Sequence, residues 1–256
     1  MLKYGLKNRV LKRKFTIINR LKQKVIKLKK NVLITGCSSG FGLALTQYYL
    51  EKNYNVFGIS RTKPDIINGD FIFQSCDLSK VEDIKTNLSE FIQNIKNLEL
   101  VYLNAGMLGE IKSSLEISTD ELKKVYELNV YTNKELLDIL STINVKNIIG
   151  ISSGAAVNGS KGWAGYSLSK AGLNMLINLY SKEMLNTKLL AVAPGVIETP
   201  MTDIIRYELD DVKFPSAKKL KEGQIQSASA AAIRMDNLVQ NSDNLESGSF
   251  VDVRDI

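Results

Sequence analysis

A short apolar run, Asn31-Val-Leu-Ile-Thr35, passes directly into Gly36-Cys-Ser-Ser-Gly40-Phe-Gly42 and then into an apolar-periodic stretch from Leu43 to Leu50. No other segment limits the fold so tightly. The run reads as a buried strand, the glycines as a sharp turn, and the periodic stretch as a helix. Gly36 permits the turn, Gly40 lets backbone amides come close to a pyrophosphate, and Gly42 lets the helix pack near the strand. The amino end of that helix favours negative charge at the same place. A dinucleotide loop is therefore expected over Gly36, Ser38, Ser39, Gly40, Phe41 and Gly42. Its Gly-x3-Gly-x-Gly spacing differs from the Gly-x-Gly-x2-Gly of many such loops.

The pattern then repeats. Strand-like runs follow at Asn55 to Ser60, Phe71 to Ser75, Leu98 to Leu103, Asn147 to Ser152, Lys188 to Ala193 and Ser249 to Val253, with helical periods between most of them. Alternation of this kind predicts an α/β fold with a parallel, doubly wound sheet of seven strands and right-handed crossovers. No internal repeat, low-complexity linker or further domain boundary is visible after residue 30.

Charge divides the chain in two. The formal net charge is +7, yet residues 1–30 hold 12 Lys or Arg and no acid, leaving 22 basic against 27 acidic residues in 31–256. The body is mildly acidic, so the high overall pI gives no footing for nucleic-acid binding. In the extension Leu11, Phe15, Ile18, Leu21, Val25 and Leu28 recur at three- and four-residue steps among the basic residues, the pattern of a basic amphipathic helix. Three readings stand: peripheral contact with an anionic membrane, docking on a partner, or translation upstream of a later true start. Charges interrupt the extension too often for the apolar core of a signal peptide, and no transmembrane run occurs. Two cysteines, Cys37 and Cys76, lack metal-binding spacing and suit a reducing compartment, so a cytoplasmic location is expected.

Chemistry without histidine is the next constraint. The chain has none, which excludes a Ser-His-Asp triad, a Cys-His pair and a His-based zinc site; no metal site is expected. Tyr166 and Lys170 are four apart and share one helical face, placing an ammonium beside a phenol. Tyr48 and Lys52 have the same spacing on the first helix and serve as a warning that spacing alone proves little.

Order separates the two pairs. Thr35-Gly-x3-Gly-x-Gly42, Asn104-Ala105-Gly106, Asn129 in Glu-Leu-Asn-Val, Ser153, Tyr166-x3-Lys170 and Pro194-Gly195 follow one another as in the short-chain dehydrogenase/reductases, which the chain resembles over essentially all of 31–256. The resemblance implies a Rossmann-type domain in which Tyr166 is the acid-base group, Lys170 and Asn129 support it, and Ser153 orients a substrate carbonyl. It also implies that Lys170 reaches the nicotinamide ribose and that Asn129 holds a water linking Lys170 to solvent. A nearby ammonium and a nicotinamide positive charge would favour the phenolate. Without the resemblance, Asn129 also reads as a helix-bending polar residue and Ser153 as a strand-end cap.

Cofactor choice rests on the end of the second strand. Ser60 stands where an acid would hold the ribose hydroxyls of NAD, and Arg61 follows it, pointing to NADP(H); Ser39, often basic in NADP-preferring relatives, is neutral here. Asp77 and Leu78 resemble the adenine-contacting stretch, although Asp77 also reads as a helix cap. Asn104, Ala105, Gly106, Pro194, Gly195, Val196 and Thr199 complete the cofactor wall implied by the resemblance.

A narrower likeness, to the sepiapterin and benzil reductase branch, is carried by Lys161-Gly-Trp-Ala-Gly-Tyr166 and by the ending Ser249-Phe-Val-Asp-Val-Arg-Asp255. It implies that Trp163 lines the substrate pocket and that Asp252 grips a polar substrate group; core packing and a salt bridge are the plain alternatives. Pro200 to Gln224 is expected to form a lid with Met201, Ile204, Ile205 and Phe214 on its inner face. Met107, Ala155 and Val157 join the substrate side. The expected activity is reduction of a ketone, diketone or pterin-like carbonyl by a homodimer or homotetramer. An NADP-binding redox sensor or scaffold without turnover, and a nucleotide-sugar modifying enzyme, are the alternatives.

Overall fold

The computed structural model describes residues 29–255. The expectations for the basic extension therefore fall outside the described residues, except at its last two positions. There Lys29 pairs with Asp70, and Lys30 meets Glu99 at 3.0 Å.

Seven parallel strands, β1 (Asn31–Thr35), β2 (Asn55–Ser60), β3 (Phe71–Ser75), β4 (Asn97–Leu103), β5 (Asn144–Ile151), β6 (Lys188–Ala193) and β7 (Phe250–Asp252), form one sheet in the order β3-β2-β1-β4-β5-β6-β7. The winding reverses between β1 and β4, which opens a crevice at their carboxyl ends. The helices are α1 (Gly40–Glu51), α2 (Ile84–Gln93), α3 (Thr119–Tyr126), α4 (Thr132–Leu140), α5 (Ala164–Glu183), α6 (Pro200–Tyr207), α7 (Pro215–Glu222) and α8 (Ala228–Gln240). None of the described helices is long and apolar enough to cross a membrane.

Strand parity sorts the core. Val32, Ile34, Leu190 and Val192 face α1 and α8, packing with Leu45, Tyr49 and Met235. Leu33, Ile148, Leu189 and Ala191 face α2, α4 and α5, packing with Leu88, Leu136 and Ile177. With both faces covered, every central strand reads as a continuous apolar run. β5 departs from its apolar run by starting three residues early. Its polar first turn is held by β4 rather than by the core: Asn144 Nδ2 donates to Asn97 Oδ1 at 2.9 Å and Lys146 Nζ to Glu99 Oε1 at 3.0 Å.

A third, smaller cluster covers the crevice. Ile205 of α6, Phe214 just before α7 and Ala217 within it pack on Leu108 and Trp163, with Met201 and Tyr166 at the margin. The expected lid is thus two short helices with a core of their own. Ile204, expected on its inner face, is 42% exposed because α6 turns Ile205 inward instead. Val157, expected at the substrate, is 62% exposed.

Candidate active site

At the carboxyl end of β1 the chain turns through Gly36 and Gly40, with φ of +68° and +51°. A Cβ on Gly42 would lie 2.1 Å from the Gly36 carbonyl oxygen, so only glycine lets α1 start this close to the strand. Ser39 caps α1 without a side-chain hydrogen bond, and the first turn has no acid. Its first amides have no side-chain cap, an arrangement suited to phosphate. Asn104 braces the turn: its Nδ2 donates to the Thr35 carbonyl at 2.9 Å, while the Asn104 and Ala105 amides donate to Thr35 Oγ1. Thr199 caps α6 and brings its methyl group against Gly40, joining lid to loop.

The second strand ends at Ser60, which is buried; its hydroxyl donates to the Thr62 carbonyl at 2.8 Å. Arg61 is exposed, and its guanidinium has no partner among the described residues. Asp77 accepts from Ser79 N and Oγ, which holds its pKa below the ordinary range, with Arg61 and Lys80 adding to the effect. This is a local turn within residues 77–79 and not the expected helix cap, since Lys80 and Asp83 hold the cap positions of the helical turns that follow; Oδ2 is left uncommitted. Leu78 is buried behind it and its carbonyl receives Thr132.

Asn129 lies in a π-helical turn, Glu127–Tyr131, between α3 and α4. Its Oδ1 accepts from Met107 N at 2.8 Å, and its Nδ2 donates to Met107 O and Ser169 Oγ, both at 2.9 Å. The side chain is committed to bracing the Met107 backbone. The Asn129 main-chain carbonyl accepts from Asn133 Nδ2 at 2.8 Å. Gly106 sits between Asn129 and Lys170 in close quarters: a Cβ would be 3.2 Å from Asn129 Oδ1 and 3.4 Å from Lys170 Nζ.

Lys170 is only 4% exposed, and its Nζ donates to the Ile151 carbonyl at 2.7 Å. Two of its three N–H groups have no partner among the described residues, which fits a ribose diol. Burial brings its pKa down to about 8, so it stays mostly charged at neutrality. Tyr166 is half-buried with its ring centroid 5.6 Å from Lys170 Nζ. Burial pushes the phenol pKa up, and Ser153 opposes that rise, although the two hydroxyls do not close a well-aligned hydrogen bond. In the protein alone burial outweighs the Ser153 hydroxyl, so the phenol sits above its ordinary value. Of the two adjacent serines, Ser152 gives its hydroxyl to Asn174 at 2.5 Å, leaving Ser153 toward the tyrosine.

Trp163 meets Tyr166 edge-on at 6.0 Å and donates from Nε1 to Ser216 Oγ of α7 at 2.5 Å. It is both a packed residue of the lid cluster and a wall beside the phenol. Pro194 and Gly195 follow β6; Gln226 donates to the Pro194 carbonyl at 2.6 Å, and Val196 O accepts from Gln226 N. Ala155, half-buried, donates its amide to Ser153 Oγ at 3.1 Å. Asp252 is paired: Arg254 Nε reaches Oδ1 at 2.8 Å and Nη2 reaches Oδ2 at 2.5 Å. Arg254 holds its pKa down against burial. Sequence reading passed over Arg254, although residues two apart at a strand end share a face.

A family model described as short chain dehydrogenase matches residues 30–210. A benzil reductase ((S)-benzoin forming) of Bacillus subtilis is 32% identical over 241 residues, covering 87% of this chain and 98% of that one. A second benzil reductase, from Bacillus cereus, is 31% identical and covers 82% of this chain and 93% of its own. Among solved structures, a short chain dehydrogenase family protein of Francisella tularensis superposes with a TM-score of 0.75 at 25% identity, over 88% of this chain and 96% of that chain.

Proposed function

The chain belongs to the short-chain dehydrogenase family, and on that premise we propose that it reduces a neutral, moderately apolar dicarbonyl compound to a hydroxyketone with NADPH. The observation that carries this reading is the buried Lys170 beside Tyr166, with two ammonium hydrogens unspent. The likeness to benzil reductases supports the substrate class. A pterin is the poorer fit, since both oxygens of Asp252 are taken by Arg254.

Gly36, Gly40 and Gly42 would hold the dinucleotide phosphates, and Lys170 the ribose beside the nicotinamide. When bound, the reduced nicotinamide supplies a hydride to the carbonyl carbon. Ser153 holds the substrate oxygen by a hydrogen bond. The Tyr166 O–H bond breaks as the alcohol O–H bond forms, and the phenolate left behind is stabilised by the Lys170 ammonium until solvent returns a proton. The lid over Trp163 excludes water from that exchange.

Arg61 would receive the 2′-phosphate, since nothing else among the described residues engages it. Arg61→Ala is expected to lower kcat/KM with NADPH by roughly ten- to a hundredfold while leaving NADH use nearly unchanged; a native enzyme that uses both cofactors equally well overturns this assignment. Following NADPH absorbance with a diketone panel tests the whole reading. Bound NADPH with no carbonyl turned over would favour the sensor.

Leu168, Met175 and Leu179 stand exposed along one side of α5, with Tyr131 nearby at the start of α4. This apolar stripe supports pairing of two copies through these helices, and a monomeric mass by light scattering would remove that proposal. The unpaired thiols Cys37 and Cys76, both buried, support a reducing compartment such as the cytoplasm.

A further inference from the structure

Gly154 follows Ser153 and has no side chain to shield the turn. A Cβ placed there would lie 3.3 Å from Arg254 Nη2 and 3.8 Å from Asp252 Oδ2. The guanidinium therefore rests against the backbone of the turn that carries Ser153. It comes from the carboxyl end of β7, where Asp252 is in register with Ala193, the residue before Pro194-Gly195. Arg254 thus spans the space between the two turns after β5 and β6, at the crevice end of the sheet.

Its donors are unequally used. Nε and one Nη2 hydrogen go to Asp252, leaving three N–H groups without partners among the described residues. The side chain is 58% exposed while that of Asp252 is 9% exposed, so solvent-side donors remain open and the carboxylate stays behind them. Asp252 also cancels the charge. A fixed pair with no net charge and open donors suits a neutral acceptor better than an anion, which would meet the carboxylate's repulsion as well as the guanidinium's attraction.

We propose that Arg254, fixed by Asp252, is a specificity-determining residue that receives a second carbonyl oxygen of a neutral substrate while Ser153 and Tyr166 hold the carbonyl being reduced. This rests on the reductase reading above. It makes dicarbonyl preference a property of the last strand's end, not of the catalytic set. It also assigns Asp252 the role of orienting the guanidinium.

The test uses the full chain with NADPH and two ketones of one skeleton, 1-phenyl-1,2-propanedione and 1-phenyl-1-propanone, which differ by one oxygen. Arg254→Met is expected to lower kcat/KM for the dione by about tenfold or more, mainly through KM, and to leave the monoketone nearly unaffected. Arg254→Lys keeps a charge beside Asp252 without the planar fork and should fall between. Asp252→Asn, which removes the balancing charge, should improve use of phenylglyoxylate relative to the dione. Equal losses on both ketones, or no loss on either, would overturn the Arg254 assignment while leaving the reductase reading intact. A native enzyme that reduces no ketone would sink the reductase reading and this inference together.

Discussion

Tyr166→Phe is expected to lower kcat for carbonyl reduction by roughly 10²- to 10⁴-fold, the span that a positioned acid-base group contributes, with NADPH binding retained. The hydroxyl is the only group lost. The ring keeps its edge contact with Trp163 at 6.0 Å and its place beside Lys170, so the lid cluster and the cofactor wall stay built. Stopped-flow reduction of a diketone, read beside NADPH fluorescence titration, separates the two effects. Lys170→Met should behave differently, weakening cofactor binding as well as chemistry, since its ammonium is assigned to both. The pH dependence has a definite sign: Lys170 loses its proton as pH rises through about 8, so reductive kcat/KM should decline on the alkaline side in the native enzyme. Tyr166→Phe with turnover within threefold of native would end the acid-base assignment, and unchanged turnover with lost NADPH binding would recast the tyrosine as a cofactor residue.

Much of this was legible in the residues because the signals were local. A buried parallel strand must be apolar on both faces, so β1, β2 and β6 were readable to the residue; the edge strand β3, with Ile72 exposed, was readable from its short Phe-Ile-Phe run instead. Gly36, Gly40 and Gly42 announced the loop because a side chain would be strained at the first two and has no clearance at the third. What escaped depended on contacts between distant segments. β5 begins at Asn144 because Asn97 and Glu99 on β4 satisfy its polar first residues, which no apolar pattern reveals. Asp252 and its partner illustrate the same limit: the sequence offered both a substrate grip and a salt bridge, and the two-point pairing with Arg254 appears only in the fold. Ile204 and Ile205 were indistinguishable as lid residues until the packing of α6 on Trp163 chose one.

The second Tyr-Lys pair, Tyr48 and Lys52, has a structural task, and removing its partner should cost more stability than any surface change. Both converge on Asp236 of α8: Tyr48 donates at 2.8 Å, Lys52 at 2.5 Å, and Tyr49 at 2.9 Å while also sharing a 2.8 Å bond with Tyr102 of β4. Asp236 is 1% exposed, whereas Lys52's side chain is 45% exposed. Hydrogen bonds to an ionised partner contribute about 1.5–3 kcal/mol each, and Tyr49 and Tyr102 are fully buried. Asp236→Ala should therefore destabilise the protein by about 3 kcal/mol or more, a fall in Tm of roughly 6 to 12 °C for a chain of this size. Lys52→Met, by contrast, removes a group that water can replace in part, and about 1 kcal/mol is expected. The pH sign follows from Asp236 itself. Burial works to raise its pKa, but the Lys52 ammonium and the Tyr48, Tyr49 and Gln240 donors outweigh it and hold the carboxyl below its ordinary value. Its contribution is complete above the unfolded carboxyl's pKa of about 4 and is lost as pH falls through the lower folded value. The gap in Tm between native and Asp236→Ala should thus be full at pH 7 and shrink toward pH 3. A gap that is equal at both, or a Lys52→Met loss matching that of Asp236→Ala, would show that the carboxylate's buried bonds to the tyrosines are not what joins α1 to α8.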